Sequence, residues 1–328
     1  MTLRRRPLIT FGAGILAAPQ IAFSQMVSRV YRVGVLSRGS SSGRGSGTYL
    51  YVDALQKLGY VVGRNLVVEY RFAEGQEDRL ASLAADLVAS KVDVIIAAAN
   101  PETLVAKRAT TVIPIVMLFS FVPVELGLIA SLAHPGANIT GTTIYGAETP
   151  GRTLQVLRDT VPGAKRVATL LETNFPGFQH AIPVSNRAAA AMGIQTILLP
   201  VHSVEELEAA FAHITRERPD ALWIVLSGVI NQHRARIIEF AARQRLPAIY
   251  SEKFPVSEGG LISYTFNTDD LLRRAADITD RVLKGTSAGD IPVEQPTRFD
   301  LAINLKTARA LGLTIPRLVL LQAKEVIE

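Results

Sequence analysis

The chain has 328 residues, 35 Lys and Arg against 29 Asp and Glu for a formal charge of +6, and no cysteine. An apolar content of 48% with 20% charged residues describes a globular chain, long enough for roughly two domains at ~150 residues each. Without thiols, disulfide frameworks, thiolate metal centres and cysteine nucleophiles are excluded.

Arg4, Arg5 and Arg6 open the chain and precede an apolar stretch, Leu8–Phe23. At about 16 residues it is shorter than the ~20 a membrane-spanning helix requires. Ala22-Phe23-Ser24 then places small residues where a signal peptidase reads, so residues 1–24 are predicted to be a secretory signal peptide. Arg5-Arg6, followed after one residue by Leu8-Ile9, makes it a twin-arginine-type signal without the full consensus. Half of the excess positive charge sits in this segment, and the remainder carries only +3.

Beyond the signal, Tyr31–Leu36 reads as a buried strand, followed by the Ser/Gly-rich stretch Ser37–Gly47. Tyr49–Leu58 has helical spacing and stops at Gly59, and Asn65–Phe72 alternates as a strand. Asp78–Ser90 places Leu80, Leu83, Ala84, Leu87 and Val88 on one helical face. Val92–Ala98 is a continuous apolar strand, Pro101 opens a helix to about Thr111, Ile113–Phe119 is a strand and Glu125–Ala133 a helix. After Gly136–Pro150 the pattern restarts. Strands Arg166–Leu171, Ile194–Leu199, Ala221–Leu226 and Pro247–Ser251 alternate with helices Ala181–Met192, Val204–Arg216 and Asn231–Arg243. Strand Leu261–Phe266, helix Asp269–Leu283, strand Arg298–Ile303 and helix Leu318–Ile327 complete the chain. Strand–helix alternation with continuous apolar strands predicts parallel sheets covered on both faces, and two such runs predict two doubly wound α/β lobes.

Catalytic motifs are weak. Gly39-Ser40-Ser41-Ser42-Gly43 matches the G-x-S-x-G nucleophile elbow but follows the first strand, with no strands before it to place a hydrolase serine. The same loop contains neither a Walker A pattern nor the dinucleotide fingerprint. His134, His180, His202, His213 and His233 show no metal-binding spacing. Basic residues are dispersed and aromatics are 6%, which argues against nucleic acid.

Ligands of open α/β sheets bind at the C-terminal ends of the strands. The candidate binding residues there are Ser37, Asn100, Pro101, Phe121 and Thr143 from the first run and Asn174, Phe175, Ser227, Gly228 and Tyr250 from the second, with Glu172 and Thr173 beside them. Hydroxyls, amides and aromatics suit hydrogen bonding and stacking on a small polar or zwitterionic ligand. They provide no acid–base pair for proton transfer.

Several segments together resemble a known family: Leu55–Tyr70 (LQKLGYVVGRNLVVEY), Arg71–Leu80, Gly127–Gly141 (GLIASLAHPGANITG), Gly259–Tyr264 (GGLISY), Pro292–Pro316 and the final Glu325–Glu328. The chain is similar, over residues 30–328, to bacterial ABC-transporter substrate-binding proteins of the tryptophan/phenylalanine-binding (TrpX-like) type. The resemblance implies a periplasmic-binding-protein-like fold: two doubly wound parallel-sheet lobes joined by three crossings, with GGLISY and PVEQP as the later crossings. Residues 27–145 and 262–292 would form the first lobe, and 146–261 and 293–328 the second. It further implies a non-enzymatic, periplasmic receptor, a monomer without cofactor or metal, that captures an amino acid or related aromatic or organic molecule by hinge closure and delivers it to an inner-membrane ABC permease. A secreted serine hydrolase using Ser41 and a receptor serving a signalling partner remain the alternatives. The family often has Gly-Asp-Pro-Val after its fourth strand. Phe121-Val122-Pro123-Val124 stands here instead, so no carboxylate is available at that position to meet an ammonium group.

Overall fold

Two sheets organise the chain. The computed structural model describes residues 29–42, 47–146, 148–173 and 178–328; the expected signal, residues 1–24, and the candidates Asn174 and Phe175 lie outside the described residues. The first sheet contains β1 (Tyr31–Ser37), β2 (Leu66–Phe72), β3 (Val94–Ala97), β4 (Ile115–Ser120) and β5 (Ile139–Thr143), in the order β2-β1-β3-β4-β5. All its pairs are parallel. Helix α1 (Gly47–Lys57) lies on one face, and α2 (Leu80–Ala89) and α3 (Asn100–Ala109) on the other.

The second sheet contains β6 (Arg166–Leu171), β7 (Gln195–Pro200), β8 (Ala221–Ile224), β9 (Ala248–Tyr250), β10 (Ile262–Phe266), β11 (Phe299–Asn304) and β12 (Glu325–Ile327). Their order is β12-β11-β10-β9-β8-β6-β7. Helices α4 (Thr149–Thr160) and α5 (Phe178–Ala191) pack on one face, and α6 (Val204–Glu217), α7 (Gly228–Gln232) and α8 (Arg234–Arg243) on the other. The sheet is parallel except where β11 runs antiparallel to β10, because the chain re-enters from the direction of the first sheet. A short helix α9 (Phe254–Ser257) precedes β10; α10 (Thr268–Leu283) follows it, and α11 (Leu305–Leu311) and α12 (Arg317–Gln322) fall between β11 and β12.

Several expectations need correction. Gly259–Tyr264 does not cross between lobes: Ile262 and Ser263 pair with Ile249 and Tyr250 of β9, so β10 belongs to the second sheet and the first-lobe boundary at 262 falls too early. Helix α10 is the element that goes back, packing on α1, β4 and β5. Glu125–Ala133 is a series of turns rather than a helix. Gly127 has φ 64°, and its carbonyl accepts from the Lys107 ammonium instead of from a helical N–H. The predicted helix over Asn231–Arg243 is broken at His233 into α7 and α8, and Leu318–Ile327 divides into α12 and β12.

The chain passes between the sheets three times, after β5, after β10 and before β11, and the passages are bonded to one another. The Thr143 N–H donates to the Glu294 carbonyl at 2.9 Å, and the Glu294 N–H to the Gly141 carbonyl at 3.0 Å. Arg274 of α10 donates to the Glu294 carboxylate (2.8 Å) and to Thr297 Oγ1 (2.6 Å), while Asn267 Nδ2 reaches Asp300 (3.0 Å). Asp270, nearly buried, anchors Arg273 and Arg274. Burial pushes its carboxyl up, but the hydrogen bonds from Arg274 and Arg273 outweigh this and hold it below the usual range.

Candidate functional site

The C-terminal ends of the first sheet's strands form one rim of the cleft, and their polar groups bond mainly to each other. Asn100 is fully buried at the start of α3; its Nδ2 donates to the Phe121 carbonyl (2.8 Å), and its Oδ1 accepts from Ser120 Oγ and the Phe121 N–H (both 2.9 Å). Thr143 Oγ1 donates to the Ser120 carbonyl at 2.8 Å. Ser37 Oγ accepts from the Gly39 N–H at 3.1 Å, turning the chain after β1. Pro101, also buried, occupies the first turn of α3. These residues hold the loop that carries Phe121. Glu102 is the exception: one carboxylate oxygen accepts from the Arg38 N–H (2.6 Å), the other is buried without a partner, and burial pushes the carboxyl up.

Phe121 projects toward the other lobe. Its ring meets Tyr145 edge-on at 4.7 Å and Phe178 at 5.1 Å, forming an apolar cluster with Val122 and Ala181. Behind this cluster lies a cavity of about 250 Å³. It extends between α4 and α5 and the face of the second sheet they cover, with Thr169, Trp223 and Tyr264 in its floor and Phe121, Tyr145 and Phe178 at its entrance. This lies just below the ~300–1,000 Å³ usual for drug-sized ligands, which sets a limit of one or two rings.

The walls are mainly apolar and aromatic, with polar side chains from α4, α5 and the sheet among them. Thr169 is 4% exposed and its Oγ1 has no partner among the described residues; Ser227 Oγ is likewise buried and without a partner among them. Ser251 Oγ accepts from the Leu226 N–H at 2.9 Å. Glu252 lines the wall half-buried, and burial pushes its carboxyl up to about 7. Burial also raises the Tyr145 phenol to about 12, against a hydrogen bond from Ser185.

Of the sequence candidates, Phe121 and Ser227 meet in this cavity. Asn100, Thr143 and Ser37 brace its first-lobe rim. Gly228 starts α7, where a side chain would strike the Glu172 carboxylate (2.6 Å from Oε2), which accepts from the Val229 N–H at 2.6 Å. Tyr250 lies elsewhere. It is 1% exposed, on the opposite face of β9, among Ile237, Ile238 and Phe240, and its ring fits under Gly260. Alternation along β9 decides this: Ile249 and Ser251 face the cavity side, Ala248 and Tyr250 the other. The same alternation, read from the sequence, would have exchanged Tyr250 for Ser251. Glu252, Thr169 and Tyr145 went unpicked, since neither a mid-strand Thr nor a lone Glu carries a motif.

Ser41 of the G-x-S-x-G stretch donates its backbone N–H to Glu74 Oε1 at 2.9 Å, and no histidine bonds to it among the described residues. Among those residues no helix is long and apolar enough to cross a membrane, and no group of three or more His, Asp or Glu could hold a metal ion.

Residues 46–327 match the family model described as ABC transporter substrate binding protein. The curated tyrosine-binding protein of Clostridioides difficile (strain R20291) is 27% identical over 263 residues, covering 80% of this chain and 75% of the relative. Among solved structures, an ABC domain in complex with L-Trp from Streptococcus pneumonia superposes with a TM-score of 0.80 at 24% identity, covering 91% of this chain and 100% of that one. A ligand-free, open substrate binding protein with adhesive properties from Clostridium difficile gives 0.76 at 22% identity, covering 91% and 99%. The structural likenesses establish a fold shared with periplasmic binding proteins.

Proposed function

The chain belongs to the ABC transporter substrate binding protein family, and we propose that the solute it receives is a small aromatic molecule, foremost an aromatic amino acid, held in the cavity behind Phe121. The single observation that carries this reading is the cavity itself: about 250 Å³, largely apolar, with the Phe121, Tyr145 and Phe178 rings at its entrance and Glu252 as its one charged side chain among the described residues. The tyrosine-binding and L-Trp-bound relatives support the same ligand class.

The receptor role follows from membership, and proteins of this family work outside the cytoplasm. For this chain we extend that to export by residues 1–24, a periplasmic location, a monomeric state and delivery to an ABC permease. The reading includes no catalysis. The mechanism is hinge closure: a ligand touching both Phe121 and the second-sheet strand ends favours the closed state, because only that state offers both sets of contacts. The three mutually bonded passages form the hinge, and the rim braced by Asn100, Ser37 and Thr143 moves as one body with Phe121.

A thermal-shift screen of the purified protein against amino acids, aromatic acids, aromatic amines, nucleosides and sugars tests it. A ligand present at 100 times its Kd adds about 2.7 kcal/mol, and at roughly 2–4 °C per kcal/mol the midpoint rises by several degrees. A rise confined to nucleosides or sugars would overturn the assignment.

A further inference from the structure

We propose that Glu252 receives the ammonium group of the ligand, with the Ser227 hydroxyl at the neighbouring strand end completing the polar end of the cavity, so that the receptor selects its ligand by the amine rather than by the carboxylate. This rests on the reading that an aromatic ligand occupies the cavity behind Phe121.

Glu252 is the only side chain with a formal charge lining that cavity among the described residues; no Lys, Arg or His faces it there. An acid so placed calls for a cation, because an ionised carboxylate in apolar surroundings is costly without a partner. The described residues supply none. Lys253, its neighbour, is paired with Glu325 of β12. Arg152 of α4 bonds to Glu148 at 2.8 Å, and Arg234 of α8 to Glu258 at 2.9 Å. The Glu172 carboxylate, at the end of β6, is held by the Val229 N–H. The Tyr145 hydroxyl of the first passage donates to the Ala181 carbonyl of α5 at 3.4 Å, and Arg152 lies near enough to Tyr264 of β10 to lower its phenol against the burial that raises it. None of these groups contributes to the position of the Glu252 carboxyl, which burial alone displaces.

An unpartnered hydroxyl supports this. Ser227 Oγ, at the end of the strand beside β9, is buried in the cavity wall without a hydrogen-bond partner among the described residues. Buried polar groups are rarely left unpaired, and an ammonium group has donors for both a carboxylate and a hydroxyl oxygen. Thr169 Oγ1, also unpartnered among those residues, lies deeper, level with Trp223 in the floor. A carboxylate on the ligand would meet only neutral donors here, such as the hydroxyls and the Asn186 amide, since no cation lines the wall among the described residues. The cation site thus lies at the end of β9 in the second lobe, whereas the loop after β4 carries Phe121-Val122-Pro123-Val124 and no acid.

The consequence for pH follows from the sign of the displacement. With its carboxyl near 7 in the free protein, Glu252 is partly protonated at neutral pH, and an ammonium ligand selects the ionised form. Affinity therefore rises with pH from 6 to 8, and binding releases a proton.

Titration calorimetry of the full chain with two matched sets of probes tests the proposal: L-tyrosine, tyramine and 3-(4-hydroxyphenyl)propionate, and L-tryptophan, tryptamine and 3-indolepropionate. The wild type is expected to bind the better-fitting set with the deaminated acid weakest, by at least tenfold. Glu252→Gln should lower affinity for the amine-bearing probes at least tenfold, leave the acid within about twofold, and abolish the pH dependence. Ser227→Ala should lose severalfold on amines only. If Glu252→Gln does not fold, the wild-type pH profile of tyramine or tryptamine against that of the matching acid decides: parallel profiles refute the proposal. Equal losses on all probes, or an acid binding as tightly as its amine, overturn it while the aromatic-ligand reading stands. Failure of all six probes to bind the wild type overturns that reading, and the proposal with it.

Discussion

The strand ends of the two sheets are built from the same residue types and finished in opposite ways. In the first sheet Asn100, Ser120, Thr143 and Ser37 bond to neighbouring residues, and a Glu102 oxygen is left unmet among the described residues. In the second, Thr169, Ser227 and Glu252 face a cavity without partners among those residues. Thr143 and Thr169 illustrate the difference: both are buried strand threonines, one donating to a carbonyl and one without a partner among the described residues. The first lobe therefore presents a rigid apolar anchor, Phe121, and the second an unsatisfied polar pocket. Hydrogen-bonding capacity that the fold does not use is what remains for a ligand.

Substitutions on the two sides should separate bracing from binding. The largest effect is expected at Asn100→Ala, which removes three hydrogen bonds and leaves the Phe121 N–H and carbonyl without that partner. Urea unfolding of the ligand-free protein should show a loss of about 3–4 kcal/mol. A loss below about 1 kcal/mol would mean that the rim is not braced by this side chain. Next comes the matched pair Thr143→Val and Thr169→Val. The first should cost about 1–2 kcal/mol by breaking its bond to the Ser120 carbonyl. The second should leave ligand-free stability unchanged or raise it by up to about 1 kcal/mol, since an unpaired hydroxyl is removed. Similar losses in both would erase the contrast between the sheets.

The smallest and most conditional effect is that of Glu252→Gln on stability. Because the folded protein raises this carboxyl from its ordinary value to about 7, the native state holds a proton that the unfolded chain releases between those pH values. Wild-type stability therefore declines as pH rises through that window. The glutamine variant, which cannot ionise, should be more stable than wild type at pH 8 by about 1 kcal/mol and no more stable at pH 4, as read by thermal melts. A gain independent of pH would point to packing instead of charge.

Much of the architecture was legible because it depends on local pattern. The apolar runs of β1, β3, β4, β6, β8 and β9 announce buried strands, and the helix over Asp269–Leu283 differs from α10 by one residue at its start. Reading failed where pattern and environment part. Ile139–Thr143 went unrecognised as a strand because it is mostly Thr and Gly; its hydroxyls are buried only because they reach the carbonyls of Ile291, Leu118 and Ser120. Gly141 sits against the Met117 backbone, at φ 133°, where no side chain fits. Glu125–Ala133 has helical spacing but becomes turns that carry the chain round to the sheet edge, where Ala130 pairs with Pro135.

By itself, then, the sequence determined two covered parallel layers and a resemblance that the family match upheld. Those properties follow from apolar periodicity within short windows and from motifs that survive as strings. The tertiary structure alone decided which polar side chain is occupied and which is free, because that depends on partners distant along the chain: Asn100 finds Phe121, Thr140 finds Ile291, and Thr169 finds none. It also decided that Tyr250 belongs to the core and Glu252 to the cavity. Two residues along the chain separate a side chain buried among its own kind from one that lines the cavity.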